Sequence, residues 1–159
     1  MQSIKAIHES HPPKYVFLGV PLTIHLSGEQ TGGQFTLIEG TMPADGDGGL
    51  HVHMRDHETM YLLDGELEVV IGGQSFTLRP GESYFAPRGV PHRLRNRGRA
   101  PAHSLAIHTP AGFDSFVREA GTPLNEWISG IATSDEQLRH VAGLAEAFGI
   151  RLLKPPGQE

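Results

Sequence analysis

The sequence has no cysteine among its 159 residues. This absence excludes disulfide bonds and thiolate metal sites, so any metal ion must be held by histidine and carboxylate side chains. Long apolar runs are also missing, since none approaches the roughly 18 residues that a membrane span needs. Residues 1–14 are polar and lack the apolar core of a signal peptide. We therefore expect a cytoplasmic protein with no membrane partner.

Helix-length apolar patterns are scarce before residue 112, whereas glycine and proline are frequent, at 20 and 12 residues. Short alternating segments between turn residues are typical of a β-sandwich or β-barrel, and no βαβ pattern interrupts them. A chain of this length suits one domain that buries a real core. The formal charge of −5 argues weakly against nucleic acid as a partner.

Alternation predicts strands in the first two thirds of the chain, at residues 15–18, 21–26, 34–40, 83–86 and 103–108. Between residues 59 and 71, Asp64-Gly65 separates two alternating apolar runs, which is a strong signal for a hairpin turn. Gly72-Gly73 predicts a further turn. On the segment after His92, three arginines share one face, and we interpret that face as solvated and paired with Glu66 or Glu68.

Near residue 111 the apolar pattern changes from strand-like alternation to helical periodicity. Residues 113–120 bring Phe113, Phe116 and Val117 to one helical face, and Gly121 is expected to end this helix. Residues 134–137 have the form of a capping box. The helix that they open repeats apolar residues at Leu138, Val141, Leu144, Ala145 and Phe148, and Gly149 closes it. We expect two or three helices that pack on the barrel without forming an independent domain.

His51 and His53 are two residues apart, so on a β-strand they share one face and can chelate a single cation. Glu58 lies an odd number of residues past His53, and an unbroken strand would direct it to the opposite face. A turn or bulge at residues 54–56 would return Glu58 to the site, whereas a straight strand would present His57. Residue chemistry alone leaves His57 and Glu58 as competing ligands.

Two segments of the sequence together resemble the cupin family, which is defined by two motifs on a double-stranded β-helix. The first motif is matched at His51, His53, Glu58 and Gly65, although Asp45 stands where its opening glycine is expected. The second motif is matched at every position, by Gly81, Pro87, Gly89, His92 and Asn96. Flanking segments from about residue 15 to residue 156 look like those of bacterial quercetin-dioxygenase-like cupins.

The resemblance implies an all-β protein, a double-stranded β-helix or jelly-roll barrel, that forms one domain over residues 1–159. The barrel and its metal site would occupy about residues 15–110, and a short helical extension would pack on it over about residues 111–159. The implied metal ligands are His51, His53, Glu58 and His92, with His57 outside the ligand set. Three imidazoles and one carboxylate suit a divalent transition metal ion and leave positions open for catalysis. We expect iron, nickel or manganese, with cobalt, zinc and copper also compatible.

The resemblance further implies a dioxygenase-like oxidoreductase that acts on a small enolic or phenolic compound of the flavonol or quercetin type. Glu58 would then be both a metal ligand and a general base. Met60, Leu62 and Leu94 would line an apolar pocket. Because fold and metal do not determine the reaction, a cupin isomerase or decarboxylase and a non-catalytic metal- or ligand-binding cupin are the alternatives. Partners would be a small molecule and a second copy of the chain in a homodimer.

Three further histidines, His25, His103 and His108, lie on predicted strands. Each is interpreted as a hydrogen-bonded residue of the barrel wall. His108 is the strongest additional site candidate, because it shares its strand face with the small residues Ser104 and Ala106.

Overall fold

The computed structural model describes residues 6–127 and 133–154. The first six strands are β1 (Lys14–Phe17), β2 (Val20–Leu26), β3 (Thr36–Met42), β4 (His51–His53), β5 (His57–Asp64) and β6 (Leu67–Ile71). The next four are β7 (Gln74–Leu78), β8 (Ser83–Ala86), β9 (His92–Arg95) and β10 (Ala102–Thr109). The C-terminal segment contains α1 (Phe113–Ala120), β11 (Thr122–Pro123), α2 (Asp135–Ala145), a 3-10 turn at Glu146–Phe148, and β12 (Ile150–Leu152). The last residues of the expected helical extension, 155–159, lie outside the described residues.

Two antiparallel sheets face each other. Their strand orders are β11-β1-β2-β3-β10-β5-β8 and β12-β4-β9-β6-β7. The predicted all-β jelly-roll barrel is therefore confirmed. Alternation places one side of each strand in the core, as on β10, where Ser104 and Ala106 point inward and Ile107 points outward. The central core includes Leu62, Leu67 and Val69, each at most 1% exposed. Burial of such a side chain contributes roughly 1.5–3 kcal/mol before chain entropy is subtracted.

The hairpin predicted at Asp64-Gly65 is wrong. Strand β5 pairs with β10 and β8 in one sheet, and β6 pairs with β9 and β7 in the other, so this turn crosses between the sheets. Gly65 is needed there because a Cβ atom would lie 2.7 Å from Cα of Ala102. The hairpin instead forms at Gly72-Gly73, where both φ angles are positive and Ile71 pairs with Gln74.

The first helix, α1, begins at Phe113 and ends before Gly121, as expected, and Gly121 itself has an extended backbone conformation. A side chain at Gly121 would lie 2.5 Å from the Val117 carbonyl oxygen, so this glycine permits close packing at the helix end. The second helix, α2, has the predicted capping box between Ser134 and Gln137. Its buried face is narrower than predicted, because Leu138 is 47% exposed.

The C-terminal segment packs as part of the barrel. Phe116, Val141, Ala145 and Ile150 form one buried cluster, which also contacts Phe17. Strand β12, which the sequence pattern did not indicate, pairs with β4, the strand that carries His51 and His53. The tail therefore supports the histidine strand directly. None of the helices in the described residues has the length and apolar character that crossing a membrane requires.

Candidate metal centre

Three strands bring the predicted ligands together. His51 on β4 pairs directly with His92 on β9, and the chain breaks its strand geometry between His53 and His57 before β5 begins. That break directs Glu58 inward, where it is 5% exposed. One imidazole nitrogen from each of His51, His53 and His92 and one carboxylate oxygen of Glu58 all lie within 4.8 Å of one another. These four residues therefore form one cluster of potential ligand atoms.

His57 points away from this cluster. Its Nδ1 atom accepts a hydrogen bond from the Arg88 backbone N–H at 3.1 Å, and its ring packs beside Phe85. The competition between His57 and Glu58 is decided by the turn at residues 54–56. The C-terminal segment fixes that turn, because the Met54 N–H donates to the Gly149 carbonyl at 2.7 Å and Arg55 donates to the Ala147 carbonyl at 2.9 Å.

Each of the three histidine rings forms a hydrogen bond through Nδ1, which leaves Nε2 available to bind a cation. The Nδ1 atoms of His51 and His92 lie 3.0 and 3.2 Å from the carbonyl oxygens of Gly49 and Val90, and each donates its proton there. The Nδ1 atom of His53 donates to Asp56 Oδ2 at 2.9 Å. A neutral ring protonated at Nδ1 presents its lone pair at Nε2, the atom that faces the cluster.

Two of these Nε2 atoms, in His53 and His92, are buried and have no hydrogen-bond partner in the described part of the chain. An unsatisfied buried polar atom costs about 1–3 kcal/mol, and a cation would remove that penalty. They lie 3.5 and 3.7 Å from Glu58 Oε2, too far for a hydrogen bond. Two ligands about 2.1 Å from one ion are separated by about 3.0–3.4 Å. These two distances need only a small contraction to match that spacing, and the orphaned Nε2 atoms fit a site for a metal ion.

The electrostatics favour the ligand forms of His51 and Glu58, whereas the neighbouring Glu58 raises the pKa of His92 despite its burial. Burial, reinforced by repulsion from His92 and His53, lowers the pKa of His51 to about 4, so its ring is neutral at pH 7. Burial alone would raise the pKa of Glu58, but the neighbouring His92 and the charges of His108, His92 and His53 hold it well below its usual range. The cluster thus offers an anionic carboxylate beside an unprotonated imidazole before any ion binds.

Tyr84 on β8 was not anticipated as a site residue. Its hydroxyl donates to Glu58 Oε1, which leaves Oε2 to face the histidines. Burial and the adjacent Glu58 charge raise the pKa of Tyr84 well above its usual range, so the hydroxyl keeps its proton. The signal available in the sequence was the alternation along residues 83–86, which places Tyr84 on the same strand face as Ala86.

Asp56 was also missed, and it links the cluster to His108. Its Oδ2 atom accepts from Nδ1 of His53 at 2.9 Å and from Nδ1 of His108 at 2.8 Å. Burial alone would raise the pKa of Asp56, but these two hydrogen bonds and the imidazole charges lower it. Asp56 therefore orients a candidate metal ligand and a second histidine at once. The only feature of the sequence that pointed to Asp56 was its position in the turn predicted at residues 54–56.

A cavity of about 150 Å³ adjoins the cluster inside the barrel. Its walls are mainly apolar and include the predicted Met60 and Leu94, whereas Leu62 packs in the core. The C-terminal segment closes part of the cavity with Phe113 and Ile150. The polar side chains among the described lining residues are Asp47, His51, Glu58, Ser104 and His108.

The other histidines and arginines lie on the outer faces of the sheets. His25 and His103 each hydrogen-bond through Nε2 to Glu39, as expected of satisfied wall residues. The arginines after His92 pair with carboxylates, also as expected: Arg95 and Arg97 with Glu68, and Arg93 with Asp47. Glu66 pairs with Arg79 instead. These residues form solvated ion pairs on the barrel surface.

The fold and the cluster define a small antiparallel barrel with a three-histidine, one-carboxylate centre in its interior. Residues 38–108 match the family described as "Cupin domain". This match, over somewhat less than half of the chain, includes the strands that carry the four clustered side chains and supports a relation to the cupin superfamily.

Known relatives are similar over parts of their length. An 85-residue segment is 33% identical to quercetin 2,3-dioxygenase of Bacillus subtilis (strain 168), covering 52% of this chain and 24% of that protein. A 60-residue segment is 38% identical to the tetracenomycin polyketide synthase protein TcmJ of Streptomyces glaucescens, covering 38% of this chain and 40% of the relative. The matches thus span less than half of either relative.

Among solved structures, a predicted oxalate decarboxylase from Thermotoga maritima superposes with a TM-score of 0.59. The superposition covers 67% of this chain and 99% of that one, at 22% identity. At this level of identity the likeness shows the fold alone. The three relatives have names from different reaction classes, so similarity does not select a reaction.

Proposed function

We propose that the protein is a metal-dependent, dioxygenase-like oxidoreductase that acts on a small enolic or phenolic compound. One observation carries the proposal: the unsatisfied Nε2 atoms of His53 and His92 converge with His51 and Glu58 beside an apolar cavity. A divalent ion bound there would polarise a substrate oxygen as a Lewis acid and could support chemistry with dioxygen. Without a sulfur ligand, we expect iron, nickel or manganese in preference to copper.

Glu58 is the residue to which we assign the general-base role. Tyr84 holds its Oε1 atom, and Oε2 faces the cluster and the cavity. Because its pKa lies well below the usual range, Glu58 is ionised at neutral pH but is a weak base. Proton transfer is efficient only when the pKa values of donor and acceptor are matched closely enough. An acidic enol or phenol therefore suits this base better than an aliphatic alcohol.

The cavity supports a small substrate. Its volume of about 150 Å³ is below the range of about 300–1,000 Å³ that is typical for drug-sized ligands. We therefore favour a compound with a single ring, or a 1,3-diketone in its enol form, over a three-ring flavonol. The apolar walls would exclude water around the reacting oxygen and strengthen electrostatic interactions there.

Elemental analysis of protein purified without added metal, followed by assays of iron, nickel, manganese, cobalt and copper forms, tests the proposal. Each form would be incubated with catechol, acetylacetone or quercetin, with and without air. We expect oxygen-dependent loss of a small substrate, slower loss of quercetin, and no activity in His92→Ala. Conversion without oxygen would indicate an isomerase or decarboxylase. A compound that binds and is released unchanged from every metal form would indicate a non-catalytic binding protein.

A further inference from the structure

His108 lies beside the candidate metal centre but is not one of the four clustered ligands. The His108 side chain, on β10, is 1% exposed and forms part of the cavity wall. Its ring stacks on Phe113, with centroids 4.3 Å apart and an angle of 19° between the planes. Asp56 binds its Nδ1 atom at 2.8 Å. The ring is therefore fixed on one face and at one nitrogen, and its Nε2 edge is directed toward Glu58 and the cavity.

The hydrogen bond to Asp56 determines which nitrogen of His108 carries the proton in the neutral ring. An ionised carboxylate only accepts hydrogen bonds, so Nδ1 of His108 carries a proton, and whenever the ring is neutral its Nε2 atom has the lone pair. Nε2 lies 3.8 Å from Glu58 Oε2, which is too far for a direct hydrogen bond. Both atoms are acceptors, and a hydroxyl donor placed beside them would satisfy either one. Few other polar groups line the described cavity wall.

We infer that His108 binds the substrate by accepting a hydrogen bond at Nε2 from a substrate hydroxyl. This inference rests on the proposed function, because it concerns the compound held at the metal centre. Glu58 and His108 offer two neighbouring acceptors, so the favoured substrate class has two oxygens on adjacent carbons, as in a catechol or an enediol. One hydroxyl would lie near Glu58 and the second would donate to His108. Asp56 is the positioning residue that keeps the His108 ring in the required tautomer.

The test compares catechol with phenol, which lacks the second hydroxyl, on the zinc-loaded protein. Zinc has no redox chemistry, so binding is measured without oxidative turnover. Isothermal titration calorimetry would give the two dissociation constants for the wild type, His108→Leu and His108→Gln. A net hydrogen bond is worth about 1 kcal/mol, so His108→Leu should reduce the preference for catechol about five- to tenfold. His108→Gln, which places an amide oxygen near Nε2, should restore part of it.

The matched control is His103→Leu, on the same strand but facing outward, which should leave the preference unchanged. Zinc content is measured for every variant. An unchanged preference in fully zinc-loaded His108→Leu overturns the inference and leaves the proposed function standing. Loss of zinc in that variant also overturns it, because His108 would then be a metal ligand. A zinc-loaded wild type that binds neither probe removes the proposed substrate class itself.

A measurement on the wild type keeps the inference testable even when His108→Leu does not fold. Long-range proton–nitrogen correlation spectra of the zinc-loaded protein report which ring nitrogen carries the proton. We expect His108 to be protonated at Nδ1 and its Nε2 resonance to shift on addition of catechol but not of phenol. Protonation at Nε2, or an Nε2 resonance that catechol does not move, contradicts the proposed contact.

Discussion

At the scale of single residues, the candidate centre depends on which side chains the turn at residues 54–56 directs inward. We predict that His92→Ala removes most of the bound metal, since Nε2 of His92 is one of the buried unpartnered atoms. His57→Ala should retain the metal, because His57 contacts Arg88 and Phe85 instead. Inductively coupled plasma mass spectrometry of both variants checks this. Equal metal loss in the two variants would show that the ligand set is wrong.

Glu58 is predicted to act both as a ligand and as a base. Glu58→Gln keeps the size of the side chain and an amide oxygen near the ion, but it removes the group that takes a proton. Turnover should therefore fall by a larger factor than metal content when both are measured on the same preparation. A parallel fall of turnover and metal content would reduce Glu58 to a ligand only.

Asp56 is predicted to set metal affinity through His53. Replacing a hydrogen-bonded partner of a metal-binding histidine typically lowers affinity about 10- to 100-fold. Asp56→Asn should show a loss of this size in a competition titration with a chromophoric chelator. Asp45→Asn, on the exposed loop before β4, is the control and should have wild-type affinity. Unaltered affinity in Asp56→Asn would mean that the carboxylate has no influence on the ion.

At the scale of secondary-structure elements, Glu39 connects three strands of the larger sheet, because it binds His25 on β2 and His103 on β10. These hydrogen bonds lower the pKa of Glu39 below the 4.5 of the unfolded chain. A lowered carboxyl pKa stabilises the fold above pH 4.5, and that stability disappears as the pH falls through the folded-state value. For this partly exposed group we expect less than about 1 kcal/mol.

Urea unfolding at pH 6 and pH 3 measures this contribution. Glu39→Gln should be less stable than the wild type at pH 6, and the difference should shrink at pH 3. Glu66→Gln removes the exposed ion pair with Arg79 and should match the wild type at both values. A destabilisation by Glu39→Gln that is equal at the two pH values would exclude the ionised carboxylate as its source.

At the scale of the whole molecule, the C-terminal segment completes both the core and the candidate metal centre. It buries Phe116 and Val141, pairs β12 with β4, and holds the turn that directs Glu58 inward through Gly149. We predict that truncation after Pro110 gives an aggregating or poorly folded protein. A soluble truncated barrel with an unchanged melting temperature would contradict this.

A point variant tests how much the packing of the C-terminal segment contributes to stability without removing that segment. Phe116→Ala leaves the chain intact but removes a 2%-exposed ring from the cluster. Such a change typically costs about 3–5 kcal/mol, so chemical denaturation should show a loss in this range. Leu138→Ala is the control, because Leu138 is 47% exposed and should change the stability by less than about 0.5 kcal/mol. Equal losses in the two variants would mean that the tail does not pack as described.

Local patterns in the sequence predicted the positions of most strands, the start of one helix and the candidate ligands. Alternation located the strands, since side chains on a strand point to opposite faces, and the capping box located the start of α2. The family resemblance indicated His51, His53, Glu58 and His92 as candidate ligands, whereas spacing alone left His57 and Glu58 as alternatives. The absence of cysteine had already restricted any metal centre to nitrogen and oxygen ligands.

Only the tertiary structure decided which distant segments meet. Asp64-Gly65 carries a hairpin signal, yet β10 and β8 occupy both edges of β5, so β6 joins the other sheet. The contacts of Asp56 with His108 and of Tyr84 with Glu58 join residues 52 and 26 positions apart. Strand β12 exists as a strand because β4 offers it an edge. Turn propensity and alternation describe neighbours along the chain, whereas sheet edges and buried hydrogen bonds form between segments that only folding brings together.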